Sequence, residues 1–248
     1  MAMKKNKNIP VRSGKFISVA AKDTPFAYTE AFKSLRTNIG FLTNVGGARS
    51  IVVTSALPEE SKSTVSINLA ITLAEGGHSV VLVECDLRKP VLRKYLKREL
   101  GQTGLGSYLA GLVTLDDCIV DLPELRISVI GAGVVPPNPA ELLNTVRMQE
   151  LLELLKQNYD YVILDAPPVS LVTDAAVVGR MADGALLVVR SKFASARIIR
   201  QAKDKLEKVG VRILGGVLTR FDIRKSGWRG GYDYQNYEYG YGLGRSKR

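Results

Sequence analysis

The chain has 248 residues, 46% hydrophobic and 24% charged, and its 35 Lys and Arg against 24 Asp and Glu leave a formal charge of +11. That is the composition of a globular protein with a substantial core, which excludes global disorder and collagen-like repeats. Apolar runs such as residues 80–83 and 185–189 fall far short of the roughly 18 residues a membrane-spanning helix needs, and the Lys-rich start lacks the apolar stretch and cleavage site of a secretory signal, so a cytoplasmic protein is expected.

The excess charge lies at the ends. Residues 1–22 carry six bases and no acid, residues 220–248 carry seven bases and three acids, and the 197 residues between them are nearly neutral. Basic ends of this kind are drawn to anionic lipid head groups or to nucleic acid, or are simply solvated. Residues 1–22 read as a flexible basic N-terminus, 23–221 as the folded domain and 222–248 as a separate tail. After the Thr24-Pro25 start, residues 26–44 read as a helix. From residue 51 onward, short runs rich in Val, Ile and Leu alternate with stretches of helical period. Strands are expected at 51–54, 80–83, 127–130, 161–164, 185–189 and 213–218, and helices at 63–75, 90–98, 139–157, 173–181 and 194–209. Strands apolar on both faces and separated by helices imply an α/β fold with a mostly parallel sheet covered on each side.

The first strand leads through Ser55-Ala-Leu-Pro58-Glu59-Glu60-Ser61-Lys62-Ser63-Thr64 directly into a helix. This is the layout of a Walker A loop, whose backbone N–H groups cradle phosphate at a helix N-terminus, with a Lys for the β and γ phosphates and a hydroxyl for Mg²⁺. Lys62 and Ser63 fit those roles. Both consensus glycines are replaced by Ser, at 55 and 61. If the backbone at 61 requires a positive φ, a serine there costs about 1 kcal/mol relative to glycine. Glu84 and Asp86 end the second strand and Asp165 ends the strand after the long helix; in a doubly wound sheet these ends meet beside the phosphate loop and make a Mg²⁺ site. A second basic cluster, Arg88, Lys89, Arg93, Lys94, Lys97 and Arg98, contains no acid and reads as a docking face for acidic partners or as a solvated helix face. Cys85 and Cys118 are too few for a disulfide framework or zinc site and are expected to be packed. The lone His78 falls in a turn, so a hydrolytic triad is not supported.

These segments together resemble the bacterial tyrosine kinases of capsule and exopolysaccharide synthesis, across almost the whole chain. Residues 55–64 resemble the family's Walker A, 81–90 (VLVECDLRKP) its second, kinase-distinctive Walker motif, 162–168 (VILDAPP) its Walker B, and 136–143 (PPNPAELL) a further family segment. The stretch from Glu30 to Asn38 is similar to E-x-x-R-x-x-R-T-N, with Lys33 at the first Arg position. Tyr232, Tyr234, Tyr237, Tyr239 and Tyr241 form the clustered tyrosines of the tail.

The resemblance implies a P-loop NTPase-like fold, ATP and Mg²⁺ as cofactors, and autophosphorylation of the tail tyrosines. By position, Pro58, Glu59, Glu60, Ser61, Lys62, Ser63, Thr64 and Arg88 would bind nucleotide. Ser63, Asp86 and Asp165 would hold the metal. Lys62, Glu84, Asp86 and Asp165 would be catalytic, Glu84 standing where the family usually has Asp and serving as metal-shell ligand or acceptor of the tyrosine proton. Arg88 also admits a structural ion pair.

Glu30, Lys33 and Arg36, at a spacing of three, would share a helix face that meets another subunit in a ring-like homo-oligomer. A separate transmembrane activator, of the chain-length-regulator type, would hold the protein at the inner face of the membrane, with peripheral contact to anionic lipid; no nucleic-acid partner is expected. Two alternatives stand beside this. One is a pseudokinase or scaffold that binds nucleotide weakly because of Ser61 and Glu84. The other is a partition or division-site ATPase, although such proteins carry an additional Lys early in the loop and none occurs between Ser50 and Ser61.

Overall fold

The structure is a computed structural model and describes residues 18–21, 23–46 and 49–221. The elements run α1 (Phe26–Gly46), β1 (Ser50–Ser55), α2 (Lys62–Glu75), β2 (Val80–Glu84), α3 (Leu92–Leu96), α4 (Leu105–Leu109), β3 (Ile119–Leu122) and β4 (Ile127–Ile130), followed by α5 (Pro139–Leu143), α6 (Val146–Asn158), β5 (Tyr161–Asp165), α7 (Asp174–Met181), β6 (Gly184–Arg190), α8 (Ala196–Lys208) and β7 (Ile213–Thr219). They form one seven-stranded sheet in the order β3-β4-β2-β5-β1-β6-β7. Every strand pair is parallel except β3 with β4.

Alternate residues of the central strands feed two separate cores. Val52, Val81, Val83, Val162 and Leu164 pack with α6, α7 and α8 residues such as Leu151, Val178 and Leu206. Ile51, Val53, Leu82 and Ile163 pack on the other face with α1 and α2 residues such as Phe32, Ile67 and Ile71. A strand buried on both faces has no polar alternation, which is why the sequence shows it as a continuous apolar run. Cys85 and Cys118 are buried free thiols, as expected.

Two expected helices are corrected and one strand is added. The helix expected over 139–157 breaks at Asn144, because Thr145 leaves the helical conformation and its hydroxyl caps the Met148 N–H of a new helix at 3.3 Å. The helix expected over 90–98 shrinks to Leu92–Leu96, with Lys97 in the left-handed conformation that ends it. Strand β3 was not expected: Ile119-Val-Asp-Leu122 is a half-exposed antiparallel edge with an acid in its middle. Among the described residues no helix is long and apolar enough to cross a membrane.

Candidate active site

Parallel strands β1, β2 and β5 end side by side, with Val53 paired to Asp165 and Glu84 paired to Asp165 across the sheet. The strand-end carboxylates therefore gather at the start of α2. The Asp165 carbonyl accepts the N–H groups of Cys85 and Asp86 at 2.9 and 3.1 Å, which fixes the two acidic strand ends together. A buried hydrogen bond from the Thr54 hydroxyl to the Pro167 carbonyl, 2.7 Å, sets the turn after β5.

The phosphate loop takes the conformation its motif requires. Ser61 lies at φ 73°, ψ 24°, in the left-handed region, so the expected steric cost of a serine here, about 1 kcal/mol, is present in the fold. Glu59 is also left-handed, at φ 64°; Pro58 and Glu59 are exposed and Thr64 is half-buried. Glu60 is fully buried. Its carboxylate accepts the Leu57 N–H at 2.7 Å and the Arg190 N–H at 3.3 Å, while its carbonyl accepts the Thr219 hydroxyl at 2.9 Å. The side chain thus braces the loop against the ends of β6 and β7, and any contact of Glu60 with phosphate falls to its backbone.

Lys62 Nζ lies 3.0 Å from Asp86 Oδ2, 3.3 Å from Ser63 Oγ and 3.9 Å from Asp165 Oδ1. Burial by itself pushes the Lys62 ammonium down, but the Asp165 and Asp86 carboxylates outweigh it and hold its pKa above the usual value. Asp165 is fully buried; that burial raises its pKa against the opposing charge of Lys62. Its Oδ1 accepts the Ser66 hydroxyl at 3.0 Å, while its Oδ2 is buried with no hydrogen-bond partner.

An orphaned carboxylate oxygen beside a serine hydroxyl and a second carboxylate fits a hard divalent cation, and the ammonium now occupies the centre of that oxygen set. Among the described residues no group of three or more His, Cys, Asp and Glu could hold a metal. Ser63, Asp86 and Asp165 would hold Mg²⁺ only with phosphate oxygens completing the shell, as is usual for a nucleotide-bound Mg²⁺.

Two expected site residues are placed differently. Glu84 Oε1 accepts the Val91 and Leu92 N–H groups at 2.5 and 2.7 Å, and Oε2 accepts Ala132 N–H at 3.1 Å. Both oxygens are spent on the backbone at the entry to α3 and after β4. In this structure Glu84 braces these segments through both oxygens, and its extra methylene relative to Asp gives it the reach to span them. Burial raises its pKa, against the lowering effect of the three N–H donors. Arg88 forms a two-pronged pair with Asp174, Nε to Oδ2 at 2.6 Å and Nη2 to Oδ1 at 3.2 Å, the structural ion pair that its position also admitted.

The α1 stripe also separates. Glu30 and Lys33 pair at 2.8 Å on the surface, whereas Arg36 donates to the Thr72 carbonyl of α2 at 2.9 Å. Two steps of three residues rotate about 120° around a helix, which turns Arg36 from the Glu30 face toward its own chain. The tyrosines of the tail lie outside the described residues.

Sequence reasoning missed Ser66, Asp174 and the bracing role of Glu60. Ser66 stands one helical turn after Lys62 and that spacing was a readable signal. Asp174 followed the Thr173 helix start, but nothing local named Arg88, 86 residues earlier, as its partner.

With this geometry in place, comparison with known proteins is specific. Residues 51–213 match the family described as AAA domain. The chain is 33% identical over 232 residues to tyrosine-protein kinase YwqD of Bacillus subtilis strain 168, covering 94% of this chain and 96% of that protein. It superimposes on the kinase domain of the Escherichia coli tyrosine kinase ETK with a TM-score of 0.77 and 35% identity, covering 88% of this chain and 86% of that one. The septum site-determining protein MinD of Pyrococcus horikoshii OT3, solved complexed with Mg-ADP, superimposes less well, with a TM-score of 0.60 and 26% identity over 68% of this chain and 69% of that one. On the mostly parallel P-loop sheet, the strand-end carboxylates and these likenesses, the chain belongs to the bacterial tyrosine-protein kinases.

Proposed function

We propose that this chain transfers the γ-phosphoryl group of ATP to tyrosine, including Tyr232, Tyr234, Tyr237, Tyr239 and Tyr241 of its own tail, and thereby regulates capsular or exopolysaccharide synthesis and export. The observation that carries the chemistry is the convergence of Lys62, Ser63, Asp86 and Asp165 on one point at the phosphate loop. In the transfer, a tyrosine oxygen bonds to the γ-phosphorus, the bond from that phosphorus to the β–γ bridging oxygen breaks, and ADP leaves. Mg²⁺, when bound, neutralises phosphate charge that shifts in the transition state. Lys62 exchanges its Asp86 contact for the β and γ phosphate oxygens. Asp86, released as Lys62 leaves, is the carboxylate available to take the tyrosine proton, because Glu84 is committed to backbone. Ser63, Asp165 and one oxygen of Asp86 would hold Mg²⁺, the other Asp86 oxygen being left for the proton, and Ser66 orients Asp165.

The family resemblance further supports a homo-oligomer, of the ring type, and a separate transmembrane activator that keeps the kinase at the inner face of the membrane. The Glu30–Lys33 pair remains available for subunit contact. The test is purified protein with ATP and Mg²⁺, alone and with the cytoplasmic segment of a candidate activator, probed for phosphotyrosine. Phosphotyrosine that depends on Lys62 supports the kinase; nucleotide binding without phosphotyrosine under both conditions replaces it with the scaffold reading, which the commitment of Glu84 to backbone favours. A division-site ATPase is disfavoured by the weaker MinD likeness and by the absence of a Lys between Ser50 and Ser61.

A further inference from the structure

The basic cluster that follows the second Walker motif is not used by the phosphate site. It surrounds a surface depression of about 410 Å³ at α3, lined by Arg93, Lys94, Lys97, Arg98 and Glu99. Arg93 pairs with Glu99 and Arg98 with Glu124, each at 2.6 Å. Lys94 and Lys97 are exposed, and among the described residues neither has a salt-bridge partner. Two unpartnered ammonium groups and two guanidinium groups that can exchange an exposed carboxylate for a phosphate around one concavity suit a compact dianion better than a flat surface.

The chain carries a matching ligand. Its tail is basic as a whole, but residues 230–242 contain Asp233 and Glu238, no base, and the five clustered tyrosines. Each phosphorylated tyrosine adds about −1.5 to −2 charge and three strong acceptor oxygens. The topology puts this segment within range. Strands β2 and β7 are parallel members of one sheet, four steps apart in the strand order. At ~4.8 Å per step their ends lie about 19 Å apart across the sheet. The segment leading into α3 leaves the end of β2 and the tail follows the end of β7, both on the edge that carries Asp86 and Asp165, and from α3 the basic face extends down to Arg98, which reaches Glu124 in the turn between β3 and β4. Tyr232 is eleven residues beyond Phe221, a length that can span up to about 37 Å.

We propose that the Arg93, Lys94, Lys97 and Arg98 face is a docking site for the chain's own residues 230–242 in their phosphorylated form. The inference rests on the kinase reading for its ligand. Docking on α3 moves a phosphorylated segment past the Asp86 and Asp165 carboxylates, which repel it, to a site that attracts it, and so clears the phosphate loop for the next turnover.

The test uses a fluorescent synthetic peptide of residues 230–242 with Tyr232, Tyr234 and Tyr237 phosphorylated, and its unphosphorylated twin, titrated with the phosphatase-treated full chain at about 0.15 M salt, where distant charges are screened. The phosphopeptide is expected to bind at least tenfold more tightly than its twin. Lys94→Ser with Lys97→Ser is expected to weaken it at least tenfold while circular dichroism and Tm stay at wild-type values. Arg93→Gln with Arg98→Gln is a second variant, expected to weaken binding in the same way if the lysine pair fails to fold.

Equal affinity of wild type and folded variant overturns the proposal. So does a face that binds phosphatidylserine vesicles through the same lysines without distinguishing the two peptides, which would make it a membrane contact. Because the peptide is phosphorylated synthetically, binding is read independently of catalysis: a chain that makes no phosphotyrosine but binds the phosphopeptide fails the kinase reading and keeps this one.

Discussion

The Lys62 ammonium stands 3.0 Å from the Asp86 carboxylate and 3.9 Å from that of Asp165, one cation set against two largely buried carboxylates. The same side chain therefore has one role at rest and another in transfer. Lys62→Met is expected to reduce ATP-dependent tyrosine phosphorylation by about 10²-fold or more, the usual scale for removing one donor that meets transition-state charge. It also leaves two carboxylates without their cation, so its Tm should fall while the far-ultraviolet spectrum stays native. Wild-type phosphotyrosine in this variant would remove Lys62 from the chemistry.

Asp165 supplies a pH signature. Its pKa is higher in the folded chain than the ordinary 3.8, so the folded state holds the proton more tightly than the unfolded one. Folding then gains stability as pH falls through the raised value toward 3.8, and loses it as pH rises through that value. Asp165→Asn removes this term. Its Tm should exceed wild type at pH 7 by a few degrees, on the order of 3 °C, with the gap narrowing as pH falls toward 3.8, while phosphotransfer is lost. A gap that widens on acidification would contradict the buried-charge assignment.

Glu84 separates bracing from catalysis. Glu84→Gln leaves an amide group facing a backbone N–H and should cost about 1–3 kcal/mol of stability. Thermal unfolding reads that cost, and the acid limb of the pH–rate profile should keep its position. Loss of the acid limb, with Tm unchanged, would return Glu84 to the role of proton acceptor.

Ser61 tests the backbone of the phosphate loop. Ser61→Gly should preserve or tighten nucleotide binding, because it relieves a left-handed serine. Ser61→Val should weaken binding at least tenfold, because a β-branched side chain is poorly tolerated at φ 73°. Isothermal titration with an ATP analogue distinguishes these; equal affinity across Gly, Ser and Val would show that the loop rearranges on binding.

Arg36 tests the revised α1 stripe. Arg36→Ala removes its bond to the Thr72 carbonyl and should lower Tm, by about 1 kcal/mol of stability, whereas Glu30→Ala should leave Tm unchanged and reduce oligomer mass in light scattering. A fall in mass for Arg36→Ala with no change in Tm would assign Arg36 to the subunit contact.

The central sheet was readable from sequence because β1, β2 and β5 are buried on both faces, so each carries an unbroken apolar run, ended in β2 and β5 by an acid and in β1 by Thr54 and Ser55 at the phosphate loop. The edge was not: β3 holds Asp121 between Val120 and Leu122 and satisfies it with the Ser128 hydroxyl of β4, a partner no local pattern names. The site divides in the same way. Lys62, Ser63, Asp86 and Asp165 were visible because they punctuate strand ends and a helix start. The work of Glu84, Glu60 and Asp174 was hidden, since an acid at a strand or helix end reads the same whether it faces a metal, a backbone amide or an arginine.

The Arg88–Asp174 pair joins the segment after β2 to the first turn of α7, and so links the two stretches of chain that carry Asp86 and Asp165. In the proposed transfer Lys62 leaves for phosphate, and until Mg²⁺ is held those two carboxylates would face each other without a cation between them, a repulsion that would push the stretches apart. A two-pronged arginine bond outside the phosphate site resists that spreading. The repulsion is kept as electrostatic potential and is not relaxed into motion, which leaves the carboxylates as a fixed pair of like charges that draws in the next cation.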